Sequence, residues 1–171
     1  MATTLAIYFK VSNKDSKKSK NENVMNKDQK PFWETKTLDE MTQEEWESLC
    51  DGCGLCCLTK LQDDETDEIV YTRVVCSYSD LDTGACKDYE HRSINVPTCV
   101  QLTKERIAEF DWLPDTCAYR MIYRGQGLAD WHPLVSGSRY SLQKAHVGLS
   151  SIAVVVDCPG LDYEDFIIDK P

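Results

Sequence analysis

No stretch of this sequence is long and apolar enough to cross a bilayer. The longest apolar runs, Ile152–Val156 and the stretch near Leu5–Phe9, fall far short of the roughly 18–20 residues a spanning helix needs. The early run has no basic region before it and no small-residue cleavage site after it, so no secretory signal is expected. Histidine is scarce, at three residues. A P-loop and a Rossmann glycine pattern are both missing, which removes the usual phosphate-cradling readings. Ser136 lies in Ser-Gly-Ser rather than G-x-S-x-G, so a serine hydrolase is not expected. There is also no second C-x-x-C pair apart from the Cys50–Cys57 run, and no H-x-x-x-H, to complete an ordinary zinc finger.

What the chain does have is cysteine. Nine occur in 171 residues, and four of them fall within Cys50-Asp-Gly-Cys53-Gly-Leu-Cys56-Cys57. With no signal peptide the expected compartment is the cytoplasm, where thiols stay reduced. In a reduced compartment, a dense and odd-numbered set of cysteines favours metal ligation over a disulfide framework. Thiolates at C-x-x-C-x-x-C-C spacing, with two glycines to let the backbone fold round, suit a soft metal or an iron–sulfur cluster.

The length suits one domain with a modest core. Net charge is −10 but unevenly spread: residues 1–30 hold seven lysines against three acidic residues, a net +4, so the remainder carries −14. An acidic body repels nucleic acid, which is not an expected partner. The Lys/Ser/Asn-rich start has little to bury and reads as a flexible basic leader over residues 1–30. The ordered domain is expected over residues 31–171, from Pro31-Phe32-Trp33 onward.

Thr42-Gln-Glu-Glu45 is a capping box, and Met41 with Trp46 has the spacing of a hydrophobic staple. The spacing predicts a short helix over Gln43–Leu49 that buries Trp46 and Leu49 and delivers Cys50 to the cysteine loop. Asp63–Glu68 reads as a solvated acidic turn, since it lacks the glycine and distal glutamate of a calcium loop. Ile69–Val75 is β-branched and aromatic, a strand ending at Cys76. Asp82-Thr-Gly84 predicts a turn in a hairpin that carries Cys76 and Cys86 on its arms. Leu102, Ile107 and Phe110 partly fit helical spacing. Asp115 is a candidate cap for a helix over Thr116–Tyr123 with Cys117 in its first turn. Leu149–Val156 is a candidate strand. The expected fold is therefore α+β: a small loop-rich single domain with short helices and a small antiparallel sheet, stapled by a cysteine-ligated metal site.

Eight cysteines are candidate ligands: Cys50, Cys53, Cys56, Cys57, Cys76, Cys86, Cys99 and Cys117. A [4Fe–4S] cluster commonly takes three close cysteines and a remote fourth. Cys50, Cys53 and Cys56 match that start, and Cys99 is the leading remote candidate. Adjacent residues cannot easily aim both side chains at one small ion, so Cys57 is open to three roles: a second site, a bridge to a neighbouring metal, or burial as an inert thiol. The eight sulfurs suffice for two four-ligand sites, or for one site and a structural pair. Cys158 stands apart as a lone thiol. His132 is a candidate ligand or acid/base, although a histidine bonded within a turn is commoner. Arg120 and Arg124 can neutralise a cluster or, more usually, bind a carboxylate.

The motifs Cys50–Cys57, Cys76, Gly84-Ala-Cys86-x-x-Tyr89 and Pro97-x-Cys99 resemble the bacterial CxxCxxCC cysteine-cluster family of zinc or iron chelators. Phe32-Trp33-Glu34, Trp46-Glu47-x-Leu49-Cys50, Cys117-Ala-Tyr-Arg120 and Trp131-His-Pro-Leu-Val-Ser-Gly137 narrow the resemblance to the YcgN-like subfamily. The likeness runs from about Pro31 to the C-terminus, with residues 1–30 outside it and Leu149–Gly160 departing from the pattern. It implies a metal-chelating bacterial protein. The expected cofactor is an iron–sulfur cluster or iron, with zinc as the alternative. The expected role is redox or electron transfer with a basic partner protein. The alternatives are a structural zinc protein acting through protein contacts, and an enzyme using the cluster or a free thiolate, with no catalytic residue assigned.

Overall fold

The computed structural model describes residues 30–171. The expected leader, apart from Lys30, lies outside the described residues. Short helices dominate: α1 Phe32–Thr35, α2 Gln43–Ser48, α3 Arg92–Asn95, α4 Ala118–Tyr123, α5 Pro133–Ser136 and α6 Ser141–Lys144. Four strands, β1 Leu58–Gln62, β2 Ile69–Val75, β3 Val155–Val156 and β4 Ile167–Ile168, form one sheet. Among the described residues no helix is long and apolar enough to cross a membrane.

The capping box of α2 forms as its sequence requires. Glu45 N–H donates to Thr42 Oγ1 at 3.2 Å, and Thr42 N–H donates to Glu45 Oε2 at 2.8 Å. Met41 and Trp46, the staple pair, are both buried. Trp46 Nε1 donates to the Leu102 carbonyl at 3.0 Å, and its ring lies 4.4 Å from that of Tyr119. These contacts fasten α2 to a core of Met41, Trp46, Leu49, Ile107, Phe110, Leu113 and Tyr119.

A second core, Leu55, Leu58, Tyr71, Val75 and Leu149, lies under the sheet. β2 is central. It pairs antiparallel with β1 along one side, from Leu58↔Val75 to Gln62↔Ile69. Its other side is shared between β4, antiparallel at Tyr71 and Thr72, and β3, parallel at Val74 and Val75. The sheet is therefore mixed, which corrects the antiparallel expectation. The parallel pair joins segments about eighty residues apart and involves two residues per strand, too few to leave a periodic pattern. The β1–β2 register slips between Leu58 and Lys60. Thr72 serves the bulge, donating its hydroxyl to the Thr59 carbonyl (2.9 Å) and accepting from Val74 N–H (3.2 Å).

Other local expectations were too regular. The segment around Leu102–Phe110 contains only a 3-10 turn at Ile107–Glu109, and Leu149–Ser151 is another such turn rather than a strand start. The helix expected over Thr116–Tyr123 begins two residues later, at Ala118. Asp115 does not cap it. The carboxylate instead pairs with Arg120 and Arg124, as expected for those arginines.

Candidate metal centre

The cysteine loop leaves the end of α2 with Cys50 N–H on the Glu47 carbonyl. Asp51 Oδ1 accepts from Cys53 N–H at 3.0 Å, closing an Asx turn. Gly52 and Gly54 both have positive φ, so the loop doubles back before a 3-10 turn at Leu55–Cys57. Two distant segments hold it in place. Cys53 O accepts from Leu149 N–H at 2.9 Å. Gly84, at φ +71°, lies so close to the Gly52 carbonyl that a Cβ there would stand 2.1 Å from the oxygen. This contact is the physical reason for glycine in the Gly84-Ala-Cys86 motif.

The sulfurs divide into those that line one cavity and those that do not. Cys50, Cys53 and Cys56 of the loop, with Cys117 at the start of α4, line a cavity of about 30 Å³ whose walls include Leu49, Leu102, Leu113 and Tyr119. The second group is Cys57, Cys76, Cys86 and Cys99. Cys57 and Cys76 are joined across β1 and β2, where Cys76 N–H donates to Cys57 O at 3.0 Å. A turn then bonds Ser79 N–H to Cys76 O, and Ser79 pairs with Cys86 in an antiparallel bridge. Cys99 comes within electrostatic reach of Cys57, Cys76 and Cys86. The remote cysteine that lines the loop's cavity is Cys117, not Cys99. Cys158 is exposed after β3.

All nine thiols are free. Among the described residues no set of three or more His, Cys, Asp or Glu side chains is closed to the spacing of a bound metal ion. The first group instead faces a shared space. Its donor chemistry fits a thiophilic metal: four sulfurs, apolar walls, and backbone N–H groups aimed at the sulfurs. Burial pushes the Cys50 thiol up to about 11, Cys53 well above the ordinary thiol range, and Cys117 upward. The N–H groups of Gly52, Leu55, and Arg120 with Tyr119 act the other way on Cys50, Cys53 and Cys117 respectively. Cys50 and Cys56 nevertheless expose surface to solvent, so the group is crowded by protein yet open to an arriving metal.

Cys56 and Cys57 behave differently from each other. Their sulfurs are 4.0 Å apart. The contact between the two thiols raises Cys56 and lowers Cys57; Ser79 and the Lys60 ammonium further favour the Cys57 thiolate. Ser79 Oγ is itself buried with no hydrogen-bond partner; it lies near the Cys57 sulfur without the geometry of a formed bond.

Lys60 is the site residue that sequence reasoning missed. Its Nζ donates to the carbonyls of Leu58 (2.6 Å), Cys56 (2.9 Å) and Leu55 (3.4 Å). It also lies over the rings of Trp112 and Tyr71, 4.8 and 4.9 Å from their centroids. Burial lowers its pKa to about 8, while Cys56 and Cys57 pull the other way. A lysine on a strand carries no local signal of this role. The Asx turn at Asp51 had one, in Asp-Gly.

His132 is buried, and both ring nitrogens are spent. Nε2 donates to the Leu49 carbonyl at 3.0 Å, and Nδ1 accepts from Leu134 N–H at 3.1 Å. It is the turn histidine of the commoner reading. Beside the cysteine loop opens a larger cavity of about 520 Å³, with Cys50, Asp51 and Cys53 on one wall and Leu134, Arg139 and Tyr140 on another.

Fold and site together describe a cysteine-cluster domain of the metal-chelating kind. Residues 49–118 match the CxxCxxCC family, described as "Putative zinc- or iron-chelating domain". The chain is 57% identical over 141 residues to a UPF0260 protein of Rhizorhabdus wittichii, covering 82% of this chain and 96% of the relative. It is 51% identical over 138 residues to a UPF0260 protein of Vibrio cholerae (81% and 94% covered). It is 48% identical over 141 residues to the UPF0260 protein YcgN of Escherichia coli (82% and 92% covered). The chain belongs to the UPF0260 family. No solved structure matches it.

Proposed function

We propose that this is an iron–sulfur protein whose cluster is held by cysteine thiolates, with a role in electron transfer. The observation that carries this reading is the meeting of three closely spaced cysteines with remote Cys117 at one apolar-walled cavity. Three close ligands and a distant fourth are the usual [4Fe–4S] arrangement, and hydrogen bonds to the sulfurs tune the potential. Bound there, a cluster supplies one-electron redox chemistry. The chain's part is to exclude water through Leu49, Leu102, Leu113 and Tyr119, to direct N–H groups at the sulfurs, and to offset thiolate charge with Lys60 and Arg120. The metal-binding domain is residues 31–171, and the basic leader over residues 1–30 lies outside it. The protein works in the reduced cytoplasm, and its acidic body docks a basic redox partner.

The test is anaerobic isolation. Brown protein with broad absorbance near 400 nm, with iron and acid-labile sulfide, supports the reading; colourless protein with stoichiometric zinc overturns it. The small volume of the Cys50–Cys117 cavity, about 30 Å³, favours a second reading, structural zinc, since it suits a single ion better than a cluster. In that case chelation unfolds the domain. An enzyme using the centre or a free thiolate draws support from the larger cavity walled by Cys50 and Cys53.

A further inference from the structure

Among the described residues the one contact between cysteine sulfurs is that of the neighbours Cys56 and Cys57, 4.0 Å apart. Cys56 lines the cavity shared with Cys50, Cys53 and Cys117, whereas Cys57 does not. Cys56 exposes surface to solvent and Cys57 is half-buried, so a small solute reaches the pair from outside. The peptide between them is held from both sides. Cys57 N–H donates to Gly54 O at 2.9 Å within the 3-10 turn, and Cys56 O accepts from Lys60 Nζ at 2.9 Å. Beyond it, Cys57 O accepts from Cys76 N–H at 3.0 Å. Successive side chains of a 3-10 turn diverge by about 120°, yet here the two sulfurs meet where the turn ends.

We propose that Cys56 and Cys57 are a reversible redox pair, joined in a vicinal disulfide by a two-electron oxidant of the hydroperoxide class and reopened by a dithiol. Cys57 reacts first, because it stands outside the cavity and stays unligated when a metal fills it. Its sulfur attacks one peroxide oxygen, the O–O bond breaks, water leaves, and a sulfenic acid remains. The Cys56 sulfur then displaces that oxygen as a second water and the S–S bond forms. The two thiols lose two electrons and two protons, and hydrogen peroxide takes them up to become two waters. A dithiol returns the same electrons and protons and becomes a disulfide itself.

The bond is built to be temporary. Consecutive Cα atoms stand about 3.8 Å apart, below the roughly 4.4–6.8 Å that an unstrained disulfide spans. The closed ring includes the Cys56–Cys57 peptide and twists it, against the hydrogen bonds to Gly54 O and from Lys60. Strained disulfides are the readily reduced ones, suited to regulation rather than to stapling. Closing the ring also turns the Cys56 sulfur toward Cys57 and away from Cys50, Cys53 and Cys117, so oxidation takes one ligand from the centre. That consequence rests on the metal-binding reading above; the disulfide itself does not.

The experiment treats the full chain, reduced and freed of metal, with one molar equivalent of hydrogen peroxide. Free thiols are blocked with one alkylating label, disulfides are then reduced, and the released thiols take a second label. The wild type should lose the mass of two hydrogens on oxidation, carry the second label on Cys56 and Cys57 together, and regain its mass with dithiothreitol. Cys57→Ser should leave Cys56 without the second label, and Cys53→Ser should keep the labelled pair. No loss of mass, or the second label on Cys53 with Cys56, overturns the proposal. Cobalt(II) titration, read by thiolate–cobalt absorbance, tests the consequence. The oxidised chain should bind cobalt more than about tenfold more weakly than the reduced chain, since disturbing even an outer partner of a ligand costs that much. Equal affinity of the two forms overturns the withdrawal of Cys56 from the cavity. If neither form binds cobalt, the metal-binding reading fails and the label mapping alone decides the disulfide.

Discussion

The imidazole of His132 donates from Nε2 to the carbonyl of Leu49, the residue immediately before Cys50. The bond spans 83 residues of sequence and fixes the backbone at the mouth of the cysteine loop. Because Nδ1 accepts from Leu134 N–H, the ring has one tautomer and one orientation. Replacing His132 with alanine strands a buried carbonyl and leaves a cavity, a combined cost of about 2–4 kcal/mol. His132→Ala should therefore lower the urea midpoint sharply and weaken metal retention. Glutamine, which can still donate to Leu49 O, should recover part of both. Equal behaviour of the two variants would show that the hydrogen bond is not what matters.

Gly84→Ala should be severe where Gly125→Ala is mild. Both positions have φ near +70°, so each substitution meets a left-handed penalty of about 1–2 kcal/mol. A Cβ at Gly84 also collides with the Gly52 carbonyl at 2.1 Å, whereas at Gly125 nothing lies within 4 Å. Metal content after gel filtration should fall in Gly84→Ala and be unchanged in Gly125→Ala.

The metal-free, reduced protein should lose stability from pH 9 to 11. Burial raises the folded pKa of Cys50 to about 11 and raises Cys53 and Cys117. The unfolded chain therefore releases these protons first, and the stability present below pH 9 is lost as pH climbs through the folded values. Lys60 opposes this: its pKa near 8 when folded, against 10.5 unfolded, adds stability as pH rises between those values. Cys57, depressed by Cys56, contributes above its unfolded value and loses that contribution on acidification. Together the raised thiols, Cys56 among them, outweigh the one lysine. Urea midpoints against pH should show the fall, and Cys50→Ser should flatten it.

Lys60→Gln should make a redox-active centre harder to reduce. The ammonium lies beside Cys56 and Cys57 and is held by three carbonyls. A nearby cation stabilises the more negative, reduced state, so removing it shifts the midpoint potential downward. Potentiometric titration of wild type and variant checks the sign; an unchanged potential would place the lysine outside the centre's field. Lys60→Arg, which keeps the charge, should stay closer to wild type.

The sequence by itself determined the features that depend on near neighbours. The capping box at Thr42 and Glu45, the staple of Met41 and Trp46, strand β2 and the turn before Cys86 all formed where composition and spacing put them. So did the cysteine loop, whose glycines allow the turn. Each follows from interactions within a few residues, which the order of side chains dictates. The tertiary structure decided which cysteine faces which. Cys99 and Cys117 look alike as remote candidates along the chain, yet the fold brings Cys117, just before α4, to the loop's cavity and leaves Cys99 out of it. The parallel β2–β3 pair, the Lys60 ammonium over the Trp112 ring and the His132–Leu49 bond are of the same kind. They are pairings between segments far apart in sequence, fixed by how two hydrophobic cores pack, and no local spacing encodes them.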